Sequence, residues 1–290
     1  MLAYLNGQFL PRSAATISVE DRGFVFGDGV YEVWRVVNGR LFESERHLAR
    51  LEFGLRELAI HLAEPLTLAA IEEIAERLLR ESSLTTGEAT LYLQITRGAA
   101  PRAHQFPTNT PPTVYATVNR FSPPEALREK GAAAITMQDI RWLRCDLKTI
   151  QLLPNVFAKQ AAVERGAVDA LMIRDGVITE GSHANVAGVL DGTVRTHPTN
   201  HLILPGITRA IVLDIARGLG IPVSEEPIAA ADISLLEEAF LVGTTTDVMP
   251  IVRIDDLPVR NGKPGPVTTR LVKEFRAYLD ASCAVAHAAP

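Results

Sequence analysis

The chain has 290 residues, of which 47% are apolar and 22% are charged, and its formal net charge is −5. This composition is ordinary for a globular protein with a full-sized core, and the length favours two domains over one. The acidic balance, without any basic run or basic face, argues against a nucleic-acid-binding protein.

The cysteines and the apolar runs indicate the cellular compartment that we expect for the protein. Cys145 and Cys283 lie far apart and lack the spacing of a zinc site, so the sequence predicts a reducing cytoplasm and no bound metal. Residues Met1–Gly7 have no basic region before an apolar core, so we expect no signal peptide. Charged or turn residues interrupt every apolar run, so we expect no membrane partner.

The first part of the chain predicts a small N-terminal α/β domain over residues 1–120. Alternation and helical spacing of apolar residues define its elements, Asn38-Gly39 marks a hairpin, and Asp21–Gly29 is expected to form tight turns. The predicted strands are Ala3–Asn6, Gln8–Leu10, Gly29–Val36, Leu91–Ile95 and Thr113–Val118, and the predicted helices are one from Ser44 and one over Thr67–Glu81.

Residues 121–124 predict a linker, and residues 125–290 a larger C-terminal α/β domain that carries Lys148. Asp175-Gly176 and Asp191-Gly192 each predict a hairpin. The other predicted elements are strands over Ala133–Met137 and Phe240–Val242 and helices over Asn155–Arg165, Thr208–Leu219 and Pro266–Ala281.

Lys148 is the first candidate for chemistry. Of the five lysines, it alone is held between apolar residues, Leu147 and Ile150. A desolvated amine loses its proton more easily and becomes a nucleophile able to form a Schiff base. The alternative is a lysine whose stem lies on apolar surface while its amine reaches water.

Three features suit a phosphate. Gly206-Ile207-Thr208 opens a helix and offers N–H groups and a hydroxyl, Gly243-Thr244-Thr245 offers small donors after a strand, and Arg50 offers a bidentate contact. The alternatives are a threonine N-cap, a turn and a solvent-facing arginine.

Two further candidates are charged. Glu180 precedes Gly181-Ser182, whose backbone donors are expected to keep its carboxylate ionised, and an ordinary turn glutamate is the alternative. If the loop is extended at Arg102 and His104, both side chains point to one side and suit a carboxylate, and a solvated loop pair is the alternative.

Together, these segments resemble the D-amino-acid transaminase family of fold type IV pyridoxal-phosphate enzymes. The resemblance runs in order from about Asp21 to Arg260, and the PRAHQFP loop distinguishes this family from branched-chain and lyase relatives. It rests on five segments: Asp21–Val33, Arg97–Pro107, Asp139–Asp146, Thr179–Val186 and Gly206–Arg209.

The resemblance implies a two-domain α/β (α+β) fold with pyridoxal 5′-phosphate in the cleft between domains. It also implies a homodimer in which two residues of one subunit complete the site of the other. The resemblance makes Lys148 the Schiff-base lysine and proton shuttle, and Glu180 the partner of the pyridine nitrogen. It places Leu204 on one face of the cofactor ring and Tyr31 at the cofactor and the substrate, and it assigns the phosphate to Arg50, Ile207, Thr208 and Thr244. Arg102 and His104 of the neighbouring subunit are implied to bind the substrate carboxylate.

The implied reaction is ping-pong transfer of an amino group from a D-amino acid, such as D-alanine, to 2-oxoglutarate. The alternatives are a branched-chain L-amino-acid transaminase, an aminodeoxychorismate lyase, and a non-catalytic regulator that binds the cofactor or metabolites. The chain departs from the family at His183, Ala184 and Gly243, where relatives often have serines, which concerns the phosphate contacts.

Overall fold

The computed structural model describes residues 1–62 and 66–284, which divide into two compact units. The first unit contains residues 1–122, 147–151 and 280–284, and the second contains residues 123–146 and 152–279. The sequence prediction that Lys148 belongs to the C-terminal domain is therefore wrong for these units. The reason is backbone pairing: Tyr31 N donates to Lys148 O at 3.0 Å, and Ile150 N donates to Gly29 O at 3.1 Å.

The first unit is built on a six-stranded sheet in which all neighbouring strands are antiparallel. The strand order is β2-β1-β6-β5-β3-β4. Its elements are β1 (Leu2–Leu5), β2 (Gln8–Pro11), α1 (Arg22–Phe26), β3 (Gly29–Val37), β4 (Arg40–Leu41), α2 (Ser44–Glu57), α3 (Leu68–Glu81), β5 (Glu88–Thr96) and β6 (Thr113–Arg120).

Helices α2 and α3 supply the apolar partners of one sheet face. Trp34 of β3 is fully buried in a core cluster that also contains Leu51 of α2 and Leu78 of α3. Because side chains alternate along a strand, Glu32 shares the face of Trp34, whereas Tyr31 lies on the opposite face. A charged residue is thus placed toward α2.

The second unit is built on a mixed sheet of nine strands. The order is β12-β11-β10-β13-β14-β7-β8-β9, with β15 also paired to β14. Its strands are β7 (Ala132–Gln138), β8 (Asp169–Arg174), β9 (Val177–Gly181), β10 (Asn185–Leu190), β11 (Thr193–Thr196), β12 (Val223–Ser224), β13 (Glu238–Gly243), β14 (Asp247–Ile254) and β15 (Leu257–Pro258). Its helices are α4 (Glu125–Lys130), α5 (Leu153–Glu164), α6 (Ile207–Gly218) and α7 (Pro266–Ser282), whose last residues fall in the first unit.

The predicted hairpins are confirmed. Asn38-Gly39, Asp175-Gly176 and Asp191-Gly192 all have positive φ at both residues, as two-residue hairpin turns that match strand twist require. The predicted turns over Asp21–Gly29 are wrong in part, because Arg22–Phe26 form a short helix between the cap residues Asp21 and Gly27. Within the described residues, no helix is long and apolar enough to span a membrane.

Candidate active site

Lys148 lies in an extended segment that pairs with β3 through an isolated bridge between Val30 and Thr149. Leu147 beside it is 5% exposed, and Lys148 itself is half-buried. The Lys148 Nζ lies 4.3 Å from the centre of the Tyr31 ring. The first unit therefore brings two of the predicted site residues together.

Tyr31 continues into a row of aromatic side chains across three strands. The register pairs Tyr31 with Gln94 and Gln94 with Tyr115, and the Tyr92 hydroxyl donates to Gln94 Oε1 at 2.7 Å. The Tyr31 and Tyr92 rings stack at 5.8 Å. Burial, together with the neighbouring tyrosines, raises the pKa of Tyr92 to about 12, so its hydroxyl stays protonated at neutral pH.

Arg50, predicted for the phosphate, is held on α2 by a buried carboxylate. Its Nε donates to Glu32 Oε1 at 2.7 Å and its Nη2 to Glu32 Oε2 at 3.0 Å. His47 Nδ1 lies 2.8 Å from Glu32 Oε2. An ionised carboxylate only accepts hydrogen bonds, so this nitrogen carries a proton. A guanidinium has five donors, and Arg50 uses its Nε and its Nη2 on Glu32.

Glu32 and His47 were not among the sequence-predicted site residues. Burial opposes the charge of Glu32, but Arg50 and His47 outweigh it and lower the pKa of Glu32 to about 2. Burial also holds the pKa of His47 below its ordinary value despite the carboxylate, which favours a neutral ring. The available signals were the charged residue on the core face of β3 and the spacing of His47 and Arg50 on one helix.

Glu180 is buried at the end of β9, in the second unit. Arg141 Nη1 donates to Glu180 Oε1, while Asn185 Nδ2 and Leu204 N donate to Oε2 at 3.0 and 3.1 Å. The prediction that Gly181 and Ser182 supply these donors is wrong. Their N–H groups bond to Ala184 O and Asp169 Oδ1 instead, because they close the tight connection from β9 to β10.

The positive charge of Arg141 does not fully offset the cost of burying an ionised Glu180 carboxylate. Burial is the largest effect and raises its pKa to about 7, against the opposing effect of Arg141. The same arginine is shared with Asp139, to which Nε donates at 2.9 Å and Nη2 at 2.8 Å. A positive group reaching Glu180 therefore meets a carboxyl that is ready to ionise at neutral pH.

The N-terminus of α6 adjoins this carboxyl. Gly206 is the N-cap residue, and no side chain caps the helix, so the threonine N-cap considered above is wrong. A Cβ on Gly206 would lie 1.9 Å from Asn185 Oδ1, so any other residue there would displace the amide that donates to Glu180. The first-turn N–H groups of Ile207 and Thr208 have no acceptors within the helix and suit an anion.

Thr244 lies in the turn between β13 and β14. The register pairs Asn185 with Val242, so this turn and the Glu180 carboxyl occupy the same end of the sheet. A Cβ on Gly243 would contact Ala184 Cβ at 3.6 Å. Two of the departures from the family are thus adjacent, and serines are absent from both positions.

Arg102 and His104 lie in the exposed loop between β5 and β6. The Arg102 guanidinium lies 5.3 Å from the centre of the Phe26 ring, and the His104 ring lies 5.7 Å from it. The expectation that the two side chains lie on one side of the loop agrees with their approach to the same ring.

Comparisons with known proteins give the family. Residues 29–254 match the family model for class IV aminotransferases. The D-alanine aminotransferase of Staphylococcus epidermidis is 40% identical over 277 residues, which cover 95% of this chain and 97% of that protein. The chain belongs to the class IV aminotransferase family.

Solved structures agree on the fold. The branched-chain amino acid aminotransferase of Escherichia coli has a TM-score of 0.88 at 22% identity, over 99% of this chain and 97% of that chain. A fold IV transaminase of Curtobacterium pusillum has a TM-score of 0.80 at 26% identity, over 94% of this chain and 92% of that one. The predicted fold type IV α/β architecture is confirmed.

Class IV aminotransferases depend on pyridoxal 5′-phosphate, which confirms the predicted cofactor and the assignment as an enzyme. The chain contains side chains and backbone groups whose chemistry suits the aldehyde, the ring nitrogen and the phosphate of this cofactor. The first unit offers an amine at Lys148 and a guanidinium at Arg50, and the second offers the Glu180 carboxyl and the uncapped N-terminus of α6.

Proposed function

We propose that this aminotransferase moves the amino group of a D-amino acid, such as D-alanine, to 2-oxoglutarate in a ping-pong reaction. The observation that carries the proposal is the exposed pair Arg102 and His104, gathered on one aromatic ring within the loop that distinguishes the D-specific family. The 40% identity to a protein named D-alanine aminotransferase supports the same substrate class.

The residues of the first unit are proposed to act on the reacting atoms. Lys148 Nζ would hold the cofactor covalently, and its amine would move the proton of the substrate Cα. Tyr31 keeps that amine near its ring, and Arg50, fixed by Glu32, is proposed to bind the phosphate. When bound, the cofactor supplies the electron-accepting ring system.

The residues of the second unit are proposed to bind the remainder of the cofactor. Glu180 would pair with the pyridine nitrogen and favour its protonated form, and Leu204, whose N–H donates to Glu180, would lie against one face of the ring. Ile207, Thr208 and Thr244 donate to the phosphate from the α6 N-terminus and the β13–β14 turn. Because positions 184 and 243 hold alanine and glycine, these donors bind the phosphate without help from serine hydroxyls at those two positions.

Arg102 and His104 are proposed to bind the substrate α-carboxylate in the active site of the neighbouring subunit of a homodimer. A guanidinium forms two parallel bonds to a carboxylate, which fixes its plane. Anchoring the carboxylate decides which Cα substituent faces Lys148, so the pair sets handedness as well as affinity. A cytoplasmic location agrees with two cysteines that are buried and free.

The test is a half-reaction spectrum of the loaded enzyme against paired D- and L-amino acids. We expect conversion with D-alanine and much slower conversion with L-leucine. Faster conversion with L-leucine would instead identify a branched-chain enzyme. Release of pyruvate from aminodeoxychorismate would identify a lyase. Lys148→Ala is the control and should lose turnover by about 10²-fold or more.

The subunit arrangement has a test of its own. Lys148→Ala and Arg102→Ala chains are each expected to be nearly inactive on D-alanine as homodimers. In a mixed dimer, one site pairs an intact lysine with an intact Arg102 and the other lacks both, so about half of the activity per dimer should return. Verified mixed dimers without activity would show that the pair acts within its own chain.

A further inference from the structure

The loop that carries Arg102 and His104 lies on the segment of residues 20–28. Arg22 N donates to Gly98 O at 2.9 Å, and Arg97 N donates to Asp28 O at 3.1 Å. Asp21 also forms an isolated antiparallel bridge with Ala99. The first turn of the loop is thus paired along its backbone with the residues that flank α1.

Phe26 ends this short helix and meets three side chains. Its ring centre lies 4.7 Å from the Arg22 guanidinium and 5.3 Å from that of Arg102. The His104 ring is tilted by 43° to it, with centres 5.7 Å apart. Gly27, in the left-handed conformation, ends the helix directly after the ring.

We propose that Phe26 is a positioning residue that holds Arg102 and His104 together in the orientation that receives the substrate carboxylate. The inference rests on the proposed function, since it concerns how the same two residues bind the carboxylate. It assigns to Phe26 a part in specificity although the ring itself does not contact the substrate.

Within one chain, the Phe26 ring contacts both of these exposed side chains. Among the described residues, neither Arg102 nor His104 has a side-chain hydrogen bond or an ion pair. Long exposed side chains lose considerable conformational entropy when they are ordered, so an unrestrained pair would bind a carboxylate weakly. A guanidinium over an aromatic face is attracted to it, while its N–H groups remain directed outward in its own plane.

The backbone of the loop is held by other groups. Arg22 Nη1 donates to Ala103 O at 2.6 Å, and the Arg97 guanidinium lies 3.6 Å from the centre of the Phe106 ring. Both arginines bind Asp28, each through Nε at 2.8 Å. Although burial opposes it, hydrogen bonds from Arg97 and Arg22 keep the pKa of Asp28 below its ordinary value. Loss of the Phe26 ring should therefore free Arg102 and His104, whereas Arg22, the third side chain on the ring, stays bonded to Asp28 and to Ala103 O and keeps the loop in place.

The test compares Phe26→Leu, which removes the ring, with Phe26→Tyr, which keeps it. We expect Phe26→Leu to raise KM for D-alanine and for 2-oxoglutarate about three- to tenfold with kcat changed less than about twofold, because a cation–π contact is worth that order of affinity. Phe26→Tyr should retain the KM of the parent enzyme. Phe26→Met gives a second ring-free variant if the leucine protein does not fold.

Phe24 supplies a matched control on the same helix. It is 71% exposed, and among the described residues it has no ring contact. Phe24→Leu should leave both KM values unchanged. A rise in KM equal to that of Phe26→Leu would point to a general effect of the helix and would overturn the assignment to Phe26.

A double-mutant cycle separates positioning from fold damage. In an Arg102→Ala/His104→Ala background, followed as a single-turnover half-reaction because steady-state turnover is nearly lost, Phe26→Leu should change the apparent KM less than about twofold, since neither side chain remains for the ring to hold. An undiminished effect there, or an unchanged KM in Phe26→Leu alone, would overturn the inference. If the Arg102→Ala/His104→Ala enzyme itself keeps the parent KM for D-alanine, the proposed carboxylate role fails instead.

Discussion

Each unit buries a glutamate beside an arginine, Glu32 in the first and Glu180 in the second, and the pKa values of the two carboxyls shift in opposite directions. Glu32 is 0% exposed and its pKa is lowered to about 2, whereas Glu180 is 6% exposed and its pKa is raised to about 7. Burial raises the pKa of both, so the difference comes from their partners.

Glu32 has Arg50 on both oxygens and His47 on one, so its negative charge is fully paired. Glu180 has Arg141, but that arginine also binds Asp139, whose charge further raises the pKa of Glu180. A carboxylate whose charge is balanced by its own partners fixes those partners in place. A carboxyl that shares its arginine with another acid is able to bind an additional positive group. The comparison thus supports a positioning role for Glu32 at Arg50 and the proposed contact of Glu180 with the cofactor.

The largest expected effect is on stability, at Glu32. Glu32→Gln removes the buried carboxylate that pairs with the guanidinium of Arg50, and breaking a buried ion pair typically costs about 3–5 kcal/mol. We expect a fall of that size in the free energy of unfolding of the cofactor-free protein, measured in urea. Stability equal to that of the parent protein would remove the distinction between the two carboxyls.

An exposed ion pair gives the control for that measurement. Arg77 and Glu81 pair at 2.6 Å on α3 with both side chains well exposed. Glu81→Gln should change the free energy of unfolding by no more than about 1 kcal/mol, as solvent-exposed pairs do.

The second effect is on catalysis, at Glu180. Glu180→Gln keeps the shape but cannot carry the charge that favours a protonated pyridine nitrogen, so we expect kcat to fall about 100-fold, or about 2.7 kcal/mol. Cofactor affinity should change much less. Unchanged kcat with weak cofactor binding would make Glu180 structural, and Glu164→Gln, on the exposed face of α5, should leave both unchanged.

Local patterns predicted most of the fold. Apolar spacing identified α2 and α3, and Asn-Gly or Asp-Gly identified the hairpins, because those signals lie within a few residues. The short helix α1 was missed, since five residues between glycine-containing turns show no helical period. Its location matters, because it places Phe26 under Arg102.

The partners of the candidate site residues were much harder to predict. Lys148, Glu180 and Arg102 could be selected by residue type and by resemblance, but their contacts are set by pairing between distant segments. The donors to Glu180 come from Arg141, Asn185 and Leu204 rather than from the residues that follow it. Nothing local to Glu180 in the sequence indicates that arrangement.

The smallest expected effect is the pH dependence of stability that the raised pKa of Glu180 imposes. The folded pKa is about 7 and the ordinary value is 4.5, so between these values the folded protein binds more protons than the unfolded chain. Stability from this group is therefore present below about pH 4.5 and is lost as the pH rises to about 7. Glu32 contributes the opposite slope, with stability lost as the pH falls from about 4.5 toward 2.

The two slopes fall in different ranges, so they can be separated by unfolding the cofactor-free protein in urea between pH 5 and pH 8. We expect the parent protein to lose about 2.5 kcal/mol relative to Glu180→Gln over that range, since each unit of pKa shift corresponds to about 1.4 kcal/mol and most of the shift from 4.5 to about 7 is expressed within it. Glu180→Gln cannot titrate there, so subtracting its curve cancels the histidines common to both proteins. Parallel curves would mean that Arg141 already holds Glu180 ionised, and the contrast with Glu32 would then fail.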